Sequence, residues 1–250
     1  MSKTPKTKVL FLDVENSPNL SYTWGKYEQD VIDFKKEWYM LSFAYRWLGV
    51  GSIGAYSLPN FKLYKKDKTN DIELLKELWK LLDEADVIIG HNVDRFELRK
   101  TNARFLAHGL GVPSPYKTVD TLKVAKKYFF LNSNKLGHIC KYLGIGGKIA
   151  TGGFSLWLAC MSGDKSAWAR MIKYNKNDIS LTEKLYEKLK PWIASHPNVN
   201  VLTGKKDACP KCASSKVQSR GYVIAGGNKK RKYQCQSCGG WYQGKIEKIN

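Results

Sequence analysis

The chain has 250 residues, room for one medium domain and a small appendix, and its 43% hydrophobic content is that of an ordinary globular protein. Its formal net charge of +20 points to a polyanionic partner, nucleic acid ahead of an anionic membrane. No apolar run could span a bilayer and the N-terminus lacks the apolar segment of a signal peptide, so no membrane partner is expected. A reducing, cytoplasmic setting follows, in which cysteines bind metal rather than form disulfides.

After a short basic tail, Val9-Leu10-Phe11-Leu12-Asp13-Val14 reads as a buried strand. Its end carries Asp13 and Glu15. In a strand, residues two apart face the same side, so both carboxylates can address one site. A solvated edge or a turn is the commoner use of such a pair. Residues 38–47, rich in aromatic and branched side chains, predict a second strand, and 52–56 a third. Residues 71–84 predict an amphipathic helix with Ile72, Leu75, Leu78, Trp79 and Leu82 at helical spacing and a capping box from Asn70 and Glu73.

Val87-Ile88-Ile89 predicts a short buried strand that delivers Gly90-His91-Asn92 into a polar turn. A helix is expected from about 95 to 108. Within it Phe96 can pack beneath a site that Glu97 reaches, Asp94 can be a further carboxylate or an N-cap, and His91 fits a packed or hydrogen-bonding role better than a hard-metal ligand. Residues 118–119 predict a last strand, and Asp120 caps the helix that follows. Helices are expected near 120–129, 134–143 and 165–190. Cys140 and Cys160 sit in apolar surroundings and read as buried thiols. The glycine-rich run 144–153, with Lys148 inside it, fits a phosphate-approaching loop or a plain connection, and lacks a full phosphate-loop pattern. In the last helix Tyr174 and Asp178 are four apart and share a face.

These residues carry a resemblance. Phe11-Leu12-Asp13-Val14-Glu15-Asn16-Ser17-Pro18, then Gly90-His91-Asn92 with Phe96-Glu97, then Tyr174-Asn175-Lys176-Asn177-Asp178 resemble, in order, the three motifs of DEDD-type 3′–5′ exonucleases of the ribonuclease H-like superfamily. The similarity is to the branch with Tyr in the third motif, as in predicted exonucleases of phage and bacterial genomes, and spans roughly residues 8–190. It implies a mixed α/β sheet flanked by helices. It implies that Asp13, Glu15 and Asp178 ligate two Mg²⁺ or Mn²⁺ ions, that Glu97 completes the shell, that Tyr174 positions the attacking water and that Asn92 contacts nucleic acid. A bacterial or phage-infected host cytoplasm is implied as well. The chain departs from the family at Glu97, where Asp is usual; the longer side chain keeps the charge and moves the oxygens outward by one methylene.

Residues 193–206 read as a linker, separating a nuclease-like domain (1–192) from a basic module (207–250). From residue 205 onward there are eleven Lys or Arg and two acidic residues. Cys209-Pro210-Lys211-Cys212 and Cys235-Gln236-Ser237-Cys238 are 22 residues apart and suit one tetrahedral, structural zinc ion; the module resembles a zinc ribbon. Between the knuckles, Lys229, Lys230, Arg231, Lys232 and Tyr233, with Trp241 nearby, can contact a phosphate backbone and stack on a base. The expected function is a metal-dependent 3′–5′ exonuclease acting on single-stranded nucleic acid, DNA ahead of RNA. The alternatives are a nucleic-acid-binding accessory protein with a weak or inactive nuclease fold, and a junction-cutting endonuclease.

Overall fold

The computed structural model describes residues 6–27 and 30–248. Strand β1 (Val9–Asn16) runs up the middle of a five-stranded sheet. It is followed by a small hairpin, β2 (Leu20–Tyr22) and β3 (Asp33–Lys36), and then by β4 (Met40–Trp47) and β5 (Gly54–Ser57). Helix α1 (Ile72–Glu84), β6 (Val87–Gly90), α2 (Glu97–Ala107) and β7 (Lys117–Asp120) alternate next. Four helices then follow: α3 (Thr121–Tyr128), α4 (Leu136–Tyr142), α5 (Ser155–Ser162) and α6 (Lys165–Leu189). The C-terminal module contributes β8 (Val217–Ala225), β9 (Asn228–Cys235) and β10 (Trp241–Glu247).

The strand order of the large sheet is β5-β4-β1-β6-β7. β1 pairs antiparallel with β4 and parallel with β6, so the sheet is mixed, as the alternation of elements predicts. Successive side chains of β1 enter different layers. Leu10, Leu12 and Val14 join a core with Leu74, Leu75 and Leu78 of α1 and Leu156 of α5. Val9 and Phe11 join a second core with Ala125 of α3, Ile139 of α4 and Leu185 of α6. By the same period of two, Asp13 and Glu15 continue the row of Val9 and Phe11. Helix α6 gives Ala167, Trp168 and Met171 to the first core and Ile179, Leu181 and Leu185 to the second. Tyr174 and Asp178 lie between those two stretches.

Three local features differ from the sequence reading. Glu73 forms no capping box; its carboxylate accepts the Leu63 N–H at 2.8 Å, while Asn70 alone serves the Ile72 N–H. Helix α5 arises where only a glycine-rich connection and the next helix were expected. The β2–β3 hairpin is a third addition, and it projects Leu20, Tyr22, Trp24, Tyr27, Ile32 and Phe34 into solvent.

Segment 193–206 is folded against the rest of the chain. Ile193 and Val199 are buried in the second core, and the Thr7 hydroxyl donates to the Val199 carbonyl. The first cysteine knuckle follows directly: Val199 N–H donates to Pro210 O at 2.8 Å, and the buried Lys211 ammonium donates to Pro191 O at 2.8 Å. The C-terminal module is thereby seated at the C-terminal end of α6 and the N-terminal end of β1. No helix among the described residues is long and apolar enough to cross a membrane.

Candidate active site

Four segments deliver side chains to one cleft at the far end of β1. Asp13 and Glu15 come from β1, where the pairing with β4 is irregular between Glu15 and Asn16. Such irregularities re-aim side chains near functional sites. Tyr174 and Asp178 come from one face of α6. Asn92, Phe96 and Glu97 come from the β6–α2 turn, and Lys148 from the glycine-rich run. The same cleft is also lined by the polar and basic side chains of Lys126, Asn132, Ser133, Lys135 and His138.

The β6–α2 turn is specified by two backbone requirements. A Cβ on Gly90 would lie 2.7 Å from Val93 Cβ and 3.0 Å from Leu12 O, so only glycine allows β6 to end this close to β1. Asn92 adopts φ +74°, the left-handed region that Asn tolerates better than most residues. Asp120 then fixes the turn: its carboxylate accepts from the N–H groups of Asn92 and Asp94 while capping α3 through Leu122 and Lys123. The cap is the role expected of Asp120; its hold on the turn is additional. His91 bonds Thr121 Oγ1 and the Asn134 carbonyl, each at 2.9 Å, so both ring nitrogens are used within the fold.

Ligand oxygens of Asp13, Glu15 and Asp178 all lie within 4.8 Å of one another. Glu97 lines the same cleft but stands outside that close trio. It is buried, and its Oε2 has no hydrogen-bond partner; Asp178 Oδ1 is likewise buried without one. Buried carboxylate oxygens without donors are costly, and a cation offsets that cost. Their hard oxygens are the donor type that Mg²⁺ and Mn²⁺ prefer. The residues therefore fit a divalent-ion site.

The crowding shows in proton affinity. Burial, then the charge of Asp178, pushes Asp13 up to about 7, against the opposing pull of Lys148 and Asn175. Glu15 is raised well above the ordinary carboxylate range by burial and by Asp13 and Asp178. Burial, then Asp13, pushes Glu97 up to about 9.

Two contributors were not identified as site residues from the sequence. Lys148 Nζ donates to Asp178 Oδ2 at 2.6 Å and to the Tyr174 hydroxyl oxygen at 2.9 Å, occupying a cation's place beside the carboxylates. Its side chain passes over Gly137, whose missing Cβ leaves the room. Asn175 is fully buried; its Nδ2 donates to the Asp13 carboxylate and backbone carbonyl, and its Oδ1 accepts from Ser42. An Asn in the interior of a predicted helix, within the third motif, was the available signal, since propensity disfavours it there.

The second cluster is separate. The sulfurs of Cys209, Cys212, Cys235 and Cys238 all lie within 4.8 Å of one another, with Cys209–Cys238 at 3.8 Å and Cys212–Cys235 at 3.6 Å. A tetrahedral zinc with bonds of about 2.3 Å sets sulfurs about 3.8 Å apart. A disulfide needs about 2.05 Å, so the arrangement suits a metal instead. Burial opposes ionisation of Cys235, yet the N–H groups of Cys238 and Ser237 bring it down to about 7. The cluster fits a small zinc ribbon. Cys140 and Cys160 are buried thiols, as their surroundings suggested.

Residues 43–190 match a family described as RNase_H superfamily. The chain belongs to the RNase H superfamily. The matched stretch includes Glu97, Tyr174 and Asp178; Asp13 and Glu15 precede it, and the sheet brings them back to it. No curated protein matches the chain. Among solved structures, the RNase H-like fold is similar to a family B DNA polymerase from the hyperthermophilic archaeon Pyrobaculum calidifontis, with a TM-score of 0.56 and 18% identity. That likeness covers 75% of this chain and 25% of the polymerase. A nuclease-type fold follows from superfamily membership.

Proposed function

We propose that the protein is a metal-dependent 3′–5′ exonuclease that hydrolyses single-stranded DNA. The observation that carries this reading is the convergence of Asp13, Glu15 and Asp178 in one cleft with Glu97, where buried oxygens of Asp178 and Glu97 lack partners. Two divalent ions at the cleft would activate a water and stabilise the leaving 3′ oxygen. Asp13, Glu15 and Asp178 would hold the ions. Glu97, longer than the family's Asp, would help to hold them from the same cleft. The Tyr174 oxygen accepts from Lys148, which leaves the phenol's own proton free to orient a water. The basic side chains of Lys126 and Lys135 would hold the incoming backbone. The order of the three motifs supports the 3′–5′ direction and DNA.

The position of Glu97 outside the close trio supports a second reading, an accessory protein that binds nucleic acid and cuts weakly or not at all. One assay separates them. Single-stranded DNA and RNA, duplex DNA and a four-way junction, each 5′-labelled, are incubated with Mg²⁺ or Mn²⁺ and either wild type or Asp13→Ala. A ladder shortening from the 3′ end of single-stranded DNA, absent in the variant, is expected. Tight binding without cleavage in either metal favours the accessory reading, and one internal cut at the junction favours an endonuclease.

A further inference from the structure

The basic run 229–232 does not form a single surface. β9 is the central strand of the ribbon, and strand alternation sends neighbouring side chains to opposite faces. Pairing fixes which side chains share a face. On one face Arg231 lies opposite Tyr222, Tyr233 opposite Tyr242, and Lys229 opposite Ile224 and Glu247. These groups are mutually engaged. Arg231 bonds the Tyr222 hydroxyl and pairs with Glu247 at 3.4 Å, Lys229 and Arg231 both lie 4.9 Å from the Tyr222 ring centre, and Tyr233 stacks on Tyr242. Tyr242 in turn donates to the Asp207 carbonyl beside the first knuckle.

The other face is different. Lys230 lies opposite Val223 and Ile246, Lys232 opposite Gln243, and Gln234 opposite Trp241 and Gln218. Arg220, in the bulge of β8, reaches across to Gln234 at 3.3 Å. Asp207 and Glu247 are the only acidic residues from 205 onward, and Glu247 belongs to the opposite face. Arg220, Lys230 and Lys232 have no ion-pair partner among the described residues, and Trp241 is 48% exposed between polar amides.

We infer that the ribbon holds single-stranded nucleic acid on the face of Arg220, Lys230, Lys232 and Trp241, while Lys229, Arg231 and Tyr233 hold the ribbon's own fold. The inference rests on the proposed nucleic-acid substrate and names where the second module takes it. Positive charge without acids suits phosphates, and an exposed indole flanked by amides suits a base. Alternation divides the run, but sequence alone cannot tell which face is engaged and which is free, because the partners of each face are known only once the register of β8 and β10 is set.

The test uses the full chain, zinc-loaded, with Asp13→Ala to keep the probe intact. Binding of a fluorescent deoxythymidine oligomer is measured across a NaCl series. Lys230→Gln with Lys232→Gln should reduce the slope of log affinity against log salt by about 1.4, since each single-strand phosphate contact contributes about 0.7. Trp241→Ala should weaken binding roughly tenfold at fixed salt with the slope unchanged. Lys229→Gln with Arg231→Gln should keep the slope and lower the melting temperature of the zinc-loaded protein. An unchanged slope in the Lys230/Lys232 variant, or an equal loss in the Lys229/Arg231 variant, overturns the assignment. Cleavage of the same oligomer by the Asp13 protein is scored separately. Binding that depends on Lys230 and Lys232 without any cleavage would reject the nuclease reading and leave this face standing; cleavage with no such dependence would do the reverse.

Discussion

Asn175 is the most informative residue to perturb, because it links the helix carrying Tyr174 and Asp178 to the strand carrying Asp13. It is fully buried, donates twice to Asp13 and accepts from Ser42. Asn175→Ala removes a hydrogen bond to an ionised carboxylate, worth about 1.5–3 kcal/mol, and strands the Ser42 hydroxyl at a cost of about 1–3 kcal/mol. A loss of about 4 kcal/mol above the titration of Asp13 is the central figure, and for a chain of this size it lowers Tm by roughly 8–16 °C. The loss should depend on pH. Asn175 holds down the proton affinity of Asp13, which even so rises to about 7. Below that value Asp13 carries a proton in wild type, the bond becomes one between neutral groups, and its removal costs about 1 kcal/mol less. The assay is thermal denaturation of wild type and Asn175→Ala at pH 5.5 and 8.5, without added Mg²⁺ or Mn²⁺. The difference in Tm between the two proteins should be larger at pH 8.5 by roughly 2–4 °C. Equal differences at both pH values would refute the argument that Asn175 acts on Asp13's charge.

The remaining expectations concern the metals. Asp13 at about 7 and Glu97 at about 9 both exceed their ordinary values. The metal-free folded protein therefore keeps protons that the unfolded chain has released, and stability present at low pH is lost as pH rises through 7 and then 9. Calorimetry should show Tm falling over that range without divalent ions, and Mg²⁺ raising Tm more at pH 9 than at pH 6; equal stabilisation at both would count against carboxylate ligation. Glu97→Gln should raise the metal-free Tm at pH 7.5, because the amide is neutral in both states and removes the cost of protonating the carboxyl on folding, but should shift the Mg²⁺ midpoint for thermal stabilisation upward. An unmoved midpoint would mean that Glu97 holds no ion. Cys212→Ser should lose about one equivalent of bound zinc by elemental analysis and expose residues 207–250 to protease; retention of the zinc would exclude the four-cysteine site.

Much of the fold is legible from periodicity, and the failures have physical causes. β1, β4 and β6 are read correctly because they are near-continuous apolar runs buried on both faces, and α1 because it buries one face at helical spacing. Helix α5, Ser-Leu-Trp-Leu-Ala-Cys-Met-Ser, mixes apolar residues all round and lacks a polar stripe, so it hides beside a glycine-rich loop. The β2–β3 hairpin is largely exposed and lacks the alternation that marks a half-buried strand. Asp13, Glu15, Tyr174 and Asp178 are legible because strand and helix periods place each pair on one face. Lys148 is not, since its contact depends on the path of a glycine-rich loop, which no period describes. The division of 229–232 into two faces follows from the period of two, but the identity of each face comes from cross-strand partners distant in sequence.

Helix α6 carries Tyr174 and Asp178 near its middle and ends at Leu189, where segment 190–211 seats the ribbon. Eleven residues of α-helix span about 17 Å. This makes α6 a rod of fixed length between the proposed cutting site and the module proposed to hold the strand. A strand must therefore extend several nucleotides beyond the proposed cutting site before it can reach along that rod. As an exonuclease shortens its substrate, it would shed the ribbon's grip at a set length rather than gradually, leaving short oligomers of narrow size distribution whose further digestion depends on fresh encounters.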